Sequence, residues 1–237
     1  MTTDTAPRRR GFGSWTVALA AGLIGAAVGG GAVAYVSRES VRDYLLENPE
    51  VLPEAMDKLR ARETAKIVSA NRGALETPFA GAWAGAKDGD VVLVEFFDYA
   101  CGYCRKSNAD VDRLLREDPR LKVVWREWPV LGPDSEAAAR ASLAAAQAGR
   151  FKPFFDGLFA AGRPTPEALA GARSGVGVSA ELPAAVTDQE LAKNFQLARG
   201  LEASGTPTFV VGDRVLQGAV GYEALRDAIK EARERKS

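Results

Sequence analysis

Histidine is absent from this 237-residue chain, and cysteine and methionine occur only twice each. Without histidine there is no Ser-His-Asp or Cys-His catalysis and no imidazole-ligated metal centre. Two cysteines and two methionines are also too few soft ligands for a dedicated copper site. Charge is balanced, 31 Lys+Arg against 31 Asp+Glu, so composition gives no electrostatic reason to expect nucleic acid. Hydrophobic residues make up 46%, enough for one good-sized globular domain plus an appendage.

Charge is missing from one long stretch, Trp15 to Val36. At 1.5 Å rise per residue that stretch can cross a bilayer as a helix. Arg8-Arg9-Arg10 precedes it, and the positive-inside rule keeps residues 1–14 in the cytoplasm, with everything after Val36 outside. The stretch has no polar face, which argues against a soluble core helix. Its length favours a retained anchor, because it exceeds the usual apolar core of a signal peptide. A cleaved signal peptide is the competing reading. Ala32-Val33-Ala34 resembles a small-residue cleavage site, and Arg9-Arg10-Gly11-Phe12 loosely matches a twin-arginine signal. Both readings export the remainder to an oxidising compartment, the periplasm or the cell exterior.

Both cysteines lie in one tetrapeptide, Cys101-Gly102-Tyr103-Cys104. An apolar run, Val91 to Phe97, precedes it, and a helical pattern follows. Two thiols so spaced at a strand-to-helix turn can cycle between dithiol and disulfide. A helix N-terminus also stabilises a thiolate and lowers the thiol pKa. Half of a zinc or iron–sulfur site is the bland alternative, but the chain has no second cysteine pair and no histidine. Zinc completed by Asp or Glu, or a metal shared between two chains, stays open. A structural disulfide is a further alternative, although such bridges usually close longer loops.

Along the chain, residues 37–72 form a charged helical segment, expected to be a stalk or an oligomerisation device. Ser40 caps a short helix carrying Val41, Tyr44 and Leu45, and Asn48-Pro49 breaks it. A second helix is predicted from about Pro53 to Ser69, then a linker from Asn71-Arg72-Gly73 to Pro78. The main domain is expected from Phe79. Asp88-Gly89 is a hairpin-turn signal. Val91–Phe97 is a buried strand without alternation, as when both faces are covered. A helix over Cys104–Glu117 and a strand over Leu121–Trp128 complete a βαβ unit. Residues 134–204 read as helical, and Phe151, Phe154, Phe155, Leu158 and Phe159 read as core. A hairpin of 208–211 and 214–217 and a helix over 221–233 close the chain.

Glu-Phe-Phe-Asp-Tyr, then Cys-Gly-Tyr-Cys, a helical insertion, and finally Gly205-Thr206-Pro207-Thr208-Phe209 resemble the DsbA-like thioredoxin-fold family of exported disulfide oxidoreductases. The resemblance covers residues 79–235. Residues 41–52 look like the N-terminal region of the ScsC-type branch, where that region can mediate oligomerisation. The fold implied is α/β: a thioredoxin fold with a helical insertion between its βαβ and ββα halves. The resemblance implies that Cys101 is the nucleophile and Cys104 the resolving thiol. Pro207 matches the cis-proline, and Thr206 would present backbone groups to a bound peptide. Glu95 matches the buried acid, with proton transfer to or from Cys104 as its role and a plain strand carboxylate as the alternative. Gly102 and Tyr103 would tune the redox potential. This pair differs from the Pro-His pair of the strongest oxidants, which implies a milder oxidant or an isomerase. Substrates would be proteins bearing thiols or disulfides, with a membrane redox partner, a possible homo-oligomer through 37–72, and no cofactor or metal. A non-catalytic exported peptide-binding protein with a structural disulfide is the second hypothesis. Copper handling, suggested by the branch name, is poorly supported by the ligand count.

Overall fold

A computed structural model describes residues 40–235. The expected basic terminus, 1–14, and the uncharged segment, 15–36, lie outside the described residues. Among the described residues, no helix is long and apolar enough to cross a membrane. The chain divides into two units between Leu59 and Arg60. In the first, residues 40–47 are helical (α1) and Asn48-Pro49 interrupts, as expected from the proline. Helix α2, Val51–Glu76, begins in this unit and runs on into the second. Val41, Tyr44, Leu46, Leu52, Met56 and Leu59 are all exposed.

The predicted end of α2 was too early. The stretch Asn71-Arg72-Gly73, read as a linker, is helical to Glu76. Leu75 is buried, and Arg126 holds this end of the helix. Its guanidinium donates to the carbonyls of Leu75 (3.0 Å), Thr77 (2.6 Å) and Ala74, and to Glu190 and Asn194. The carbonyls that a helix end leaves unpaired are thus capped from across the fold.

The second unit is built on a five-stranded sheet of order β1-β3-β2-β4-β5. Its strands are β1 (Trp83–Gly85), β2 (Val91–Phe97), β3 (Leu121–Glu127), β4 (Thr208–Val211) and β5 (Arg214–Gln217). β2 and β3 are parallel and joined by helix α3 (Gly102–Glu117); the other pairs are antiparallel. β2 and β3 are buried at six of seven positions each, so their apolar runs lack alternation.

One face, with Leu93, Phe97, Trp125 and Phe209, packs against α3, the insertion and helix α8 (Tyr222–Glu234). The other, with Val94, Phe96, Val124 and Val210, meets Val68 and Leu75 of α2. It also meets Leu197 and Ala198 of helix α7 (Ala184–Gly200). The aromatic cluster read as core is core: Phe151, Phe154, Phe155, Leu158 and Phe159 are all buried on helix α5 (Phe151–Ala161).

β1 had no sequence reading, and the Asp88-Gly89 turn does not form a hairpin. β1 pairs with β3, and the connection from β1 to β2 crosses the start of β3. Ala86 N–H donates to Leu121 O (2.8 Å) and Asp90 N–H to Arg120 O (3.1 Å). The crossing is close enough to require glycine. A Cβ on Gly85, whose φ is +88°, would sit 2.2 Å from Leu121 O, and one on Gly89 would sit 2.7 Å from Arg120 O.

The insertion holds helices α4 (Pro133–Gln147), α5, α6 (Pro166–Gly175) and α7. It leaves the sheet through residues 128–132 and returns through 201–207. α7 runs from Ala184 to Gly200, within the stretch 134–204 expected to be helical.

Candidate active site

β2 ends at Phe97, and four residues later Cys101 caps α3 with extended backbone (φ −79°, ψ 116°). The cap position turns the Cys101 side chain back over the first helical turn. Its Sγ accepts the Cys104 backbone N–H at 3.4 Å, at the positive end of a 16-residue helix whose first turn carries no acidic residue. Gly102 is exposed, and Tyr103 is 67% exposed. Cys104 points inward and is fully buried, whereas Cys101 keeps 6% exposure. Both are free thiols.

The two sulfurs occupy opposite electrostatic environments. The Cys101 thiol is pulled down to about 5. The Cys104 thiol is the largest cause, followed by the Thr206 side chain and the backbone N–H groups of Cys104 and Tyr103, against partial burial. Cys104 is pushed far up, first by burial, then by its interaction with Cys101 and the charge of Glu95.

Thr206-Pro207 faces this turn from the other side, with a cis peptide bond between them. Thr206 O lies 3.2 Å from Cys101 Sγ and can accept the S–H of the thiol form. The loop is tied at both ends: Gly218 N–H donates to Pro207 O (2.8 Å), and Thr208 Oγ1 donates to Gly205 O (2.7 Å).

Glu95 is wholly buried in the middle of β2. The indole N–H of its register neighbour Trp125 donates to Oε2 at 2.9 Å, and Oε1 has no hydrogen-bond partner. Burial pushes its carboxyl up to about 8, opposed by the Trp125 bond and assisted by the charges of Cys101 and Asp112. An acid poised so near neutrality can release and accept a proton at working pH.

The structure therefore brings together Cys101, Gly102, Tyr103, Cys104, Glu95, Thr206 and Pro207, which the sequence spreads over 113 positions. Three further residues belong to the site's frame. Trp125 holds Glu95. Arg105, in the first turn of α3, donates to Phe159 O (3.2 Å) and Gly162 O (2.6 Å), fastening the end of α5 to the cysteine helix. Asp98 is 1% exposed and takes four hydrogen bonds. A charged residue directly after Phe96-Phe97 was the one sequence signal for it. Among the described residues, no group of three or more Cys, Asp and Glu side chains could hold a metal ion.

A strand-turn-helix with paired cysteines, opposite a Thr-Pro loop on a thioredoxin-like sheet, defines the class. Residues 92–230 match the DSBA-like thioredoxin domain, and residues 38–66 match the Copper resistance protein ScsC N-terminal domain. The chain belongs to the DsbA-like thioredoxin family. A thioredoxin-like oxidoreductase from Silicibacter pomeroyi DSS-3 is 37% identical, covering 69% of this chain and 98% of that one with a TM-score of 0.64. A linker-deletion mutant of Proteus mirabilis ScsC is 30% identical, covering 84% and 94% with a TM-score of 0.70. Among curated proteins, the Na(+)/H(+) antiporter NhaA 1 of Salinispora arenicola (strain CNS-205) is 30% identical over 156 residues, 62% of this chain and 24% of the antiporter. The chain thus spans about a quarter of the length of the curated relatives it matches.

Proposed function

We propose that this protein is an exported thiol–disulfide oxidoreductase acting on protein substrates through Cys101 and Cys104. The contrast between the two sulfurs carries the reading. With a pKa of about 5, Cys101 is mostly thiolate at pH 7, while Cys104 remains a thiol. Cys101 thiolate attacks one sulfur of a substrate disulfide; a mixed disulfide forms and the other substrate sulfur leaves as thiolate. Cys104 then loses its proton to Glu95 in its ionised form and attacks Cys101. The Cys101–Cys104 bond forms, and the substrate sulfur bound to Cys101 leaves as thiolate. The reverse sequence donates a disulfide. The Thr206-Pro207 backbone supplies strand-like contacts to the substrate peptide, and Gly102 and Tyr103 set the potential.

Residues 79–235 carry the redox site, and residues 40–59, the described part of the expected 37–72 appendage that lies in the first unit, expose Val41, Tyr44, Leu46, Leu52, Met56 and Leu59, which suit a second copy of the chain. Two or more active sites in one assembly would favour isomerisation, with a membrane partner keeping the cysteines reduced; a monomer would favour net oxidation. Residues 15–36 serve as anchor or cleaved signal.

Insulin reduction and refolding of scrambled ribonuclease, with wild type and Cys101→Ser, test the activity. Loss of both activities in the variant supports it. Equal behaviour of the two proteins leaves the non-catalytic binding reading in place. Light scattering on residues 37–237 separates the isomerase and oxidant forms.

A further inference from the structure

The Asp98 carboxylate takes two donors on each oxygen. Oδ1 accepts Ala100 N–H (2.8 Å) and Ser135 Oγ–H (2.7 Å); Oδ2 accepts Val130 N–H (2.8 Å) and Leu131 N–H (3.0 Å). Those four bonds fill the four acceptor directions of a carboxylate. The same residue's backbone reaches the cysteines: Asp98 O accepts Cys101 N–H at 3.0 Å, and its backbone N–H acts on the Cys104 sulfur. One buried side chain therefore ties the cysteine turn to the turn that opens the insertion. That second turn carries Val130 and Leu131, 41% and 54% exposed. The backbone of two residues with exposed apolar side chains thus stands one carboxylate's width from the backbone of Ala100, next to the reacting cysteine.

We propose that Asp98 is a positioning residue that holds the Val130–Leu131 lip in register with Cys101, so that a substrate with an apolar residue beside its cysteine is aligned for attack. The inference rests on the exchange reading above and adds a substrate preference to it. Charge-assisted hydrogen bonds to backbone N–H groups are short and directional, which suits a fixed lip better than a mobile one. Alignment of the reacting sulfurs is worth large factors in rate, and a shift of about 1 Å can cost about a hundredfold.

The test measures second-order rate constants of reduced protein with two disulfides: a peptide dimer whose cysteine is flanked by leucine, and glutathione disulfide, which has no apolar flank. In Asp98→Asn the NH2 group faces either the Val130 and Leu131 N–H donors or, flipped, the Ala100 N–H beside the Ser135 hydroxyl; either way the tie between the two turns is weakened at one end and the lip loosens. The expected result is a peptide-to-glutathione rate ratio about tenfold below wild type. Leu131→Ser, on an exposed residue, lowers the ratio about threefold with an unchanged melting temperature. Purely structural damage would lower both rates together. An unchanged ratio in folded Asp98→Asn overturns the proposal. If that variant is not recovered folded, Leu131→Ser and Ser135→Ala decide: a lowered ratio in both supports the lip, and an unchanged ratio in either overturns it. A wild type inert toward both disulfides strikes instead at the exchange reading itself.

Discussion

Replacing Glu95 by Gln should reveal the energetic cost of keeping an acid under the cysteines. The carboxyl is wholly buried and raised from an ordinary 4.5 to about 8. Below pH 4.5 it is protonated in both folded and unfolded chains. As pH rises past 4.5 the unfolded chain releases this proton while the folded chain keeps it, so stability falls. The fall ends near pH 8, where the folded acid also ionises. At about 1.4 kcal/mol per pH unit, the loss is about 3 kcal/mol by pH 7 and about 5 kcal/mol above pH 8. Gln does not titrate, so the variant should escape this slope.

The amide also brings two N–H donors to a place where Oε1 has no partner, a constant cost of about 1–3 kcal/mol. The diagnostic is therefore the pH dependence of the difference, not its sign at one pH. Urea unfolding of reduced wild type and Glu95→Gln at pH 4.5, 6, 7 and 8.5 measures it. The variant's relative stability should climb by about 3 kcal/mol between pH 4.5 and 7 and level off above 8. A difference that stays flat across that range would show that Glu95 titrates alike in the folded and unfolded chains, and the raised pKa that suits it to exchange protons near neutrality would fall with it.

Other outcomes follow from the same geometry. The Cys101 thiolate, followed by its ultraviolet absorbance, should titrate with a midpoint near 5, and Cys104→Ala should move it up because Cys104 is the largest stabiliser; an unmoved midpoint refutes that assignment. The reduction potential should be more negative than the about −120 mV of the strongest family oxidants, since no histidine sits between the cysteines; equilibration with glutathione reads it. Arg126→Met removes three bonds to the end of α2, leaving those carbonyls without their donor, and takes from Glu190 one of its two partners, Lys193 remaining; unfolding should cost about 3–5 kcal/mol less, and a stability within 1 kcal/mol of wild type would contradict the cap.

Much of the site was legible because its signals are local. Cys-Gly-Tyr-Cys occupies one turn, and the β4–β5 hairpin has the bounds expected for it, 208–211 and 214–217. Glu95 stood out as one acid in an apolar strand. What escaped was decided by partners far along the chain. The end of α2 persists past Gly73 because Arg126, about fifty residues on, takes its carbonyls. Asp88-Gly89 carries a hairpin signal, yet β3 lies between β1 and β2, and only glycines let the connection cross it. Asp98 looked like the end of a strand, since its donors at Val130, Leu131 and Ser135 lie more than thirty residues away.

The insertion leaves and rejoins the sheet at places that both border Cys101: the turn bound by Asp98 at one root, and Thr206-Pro207 at the other. The two walls of the reacting sulfur are therefore the two hinges of one helical subassembly. Lengthening, tilting or exchanging helices α4 to α7 would reshape what can approach the sulfur while the sheet, Glu95 and the cysteine turn stay unchanged. What can approach the Cys101 sulfur and what sets its chemistry are thus carried by different parts of the chain, and grafting an insertion from a relative would change the first without the second.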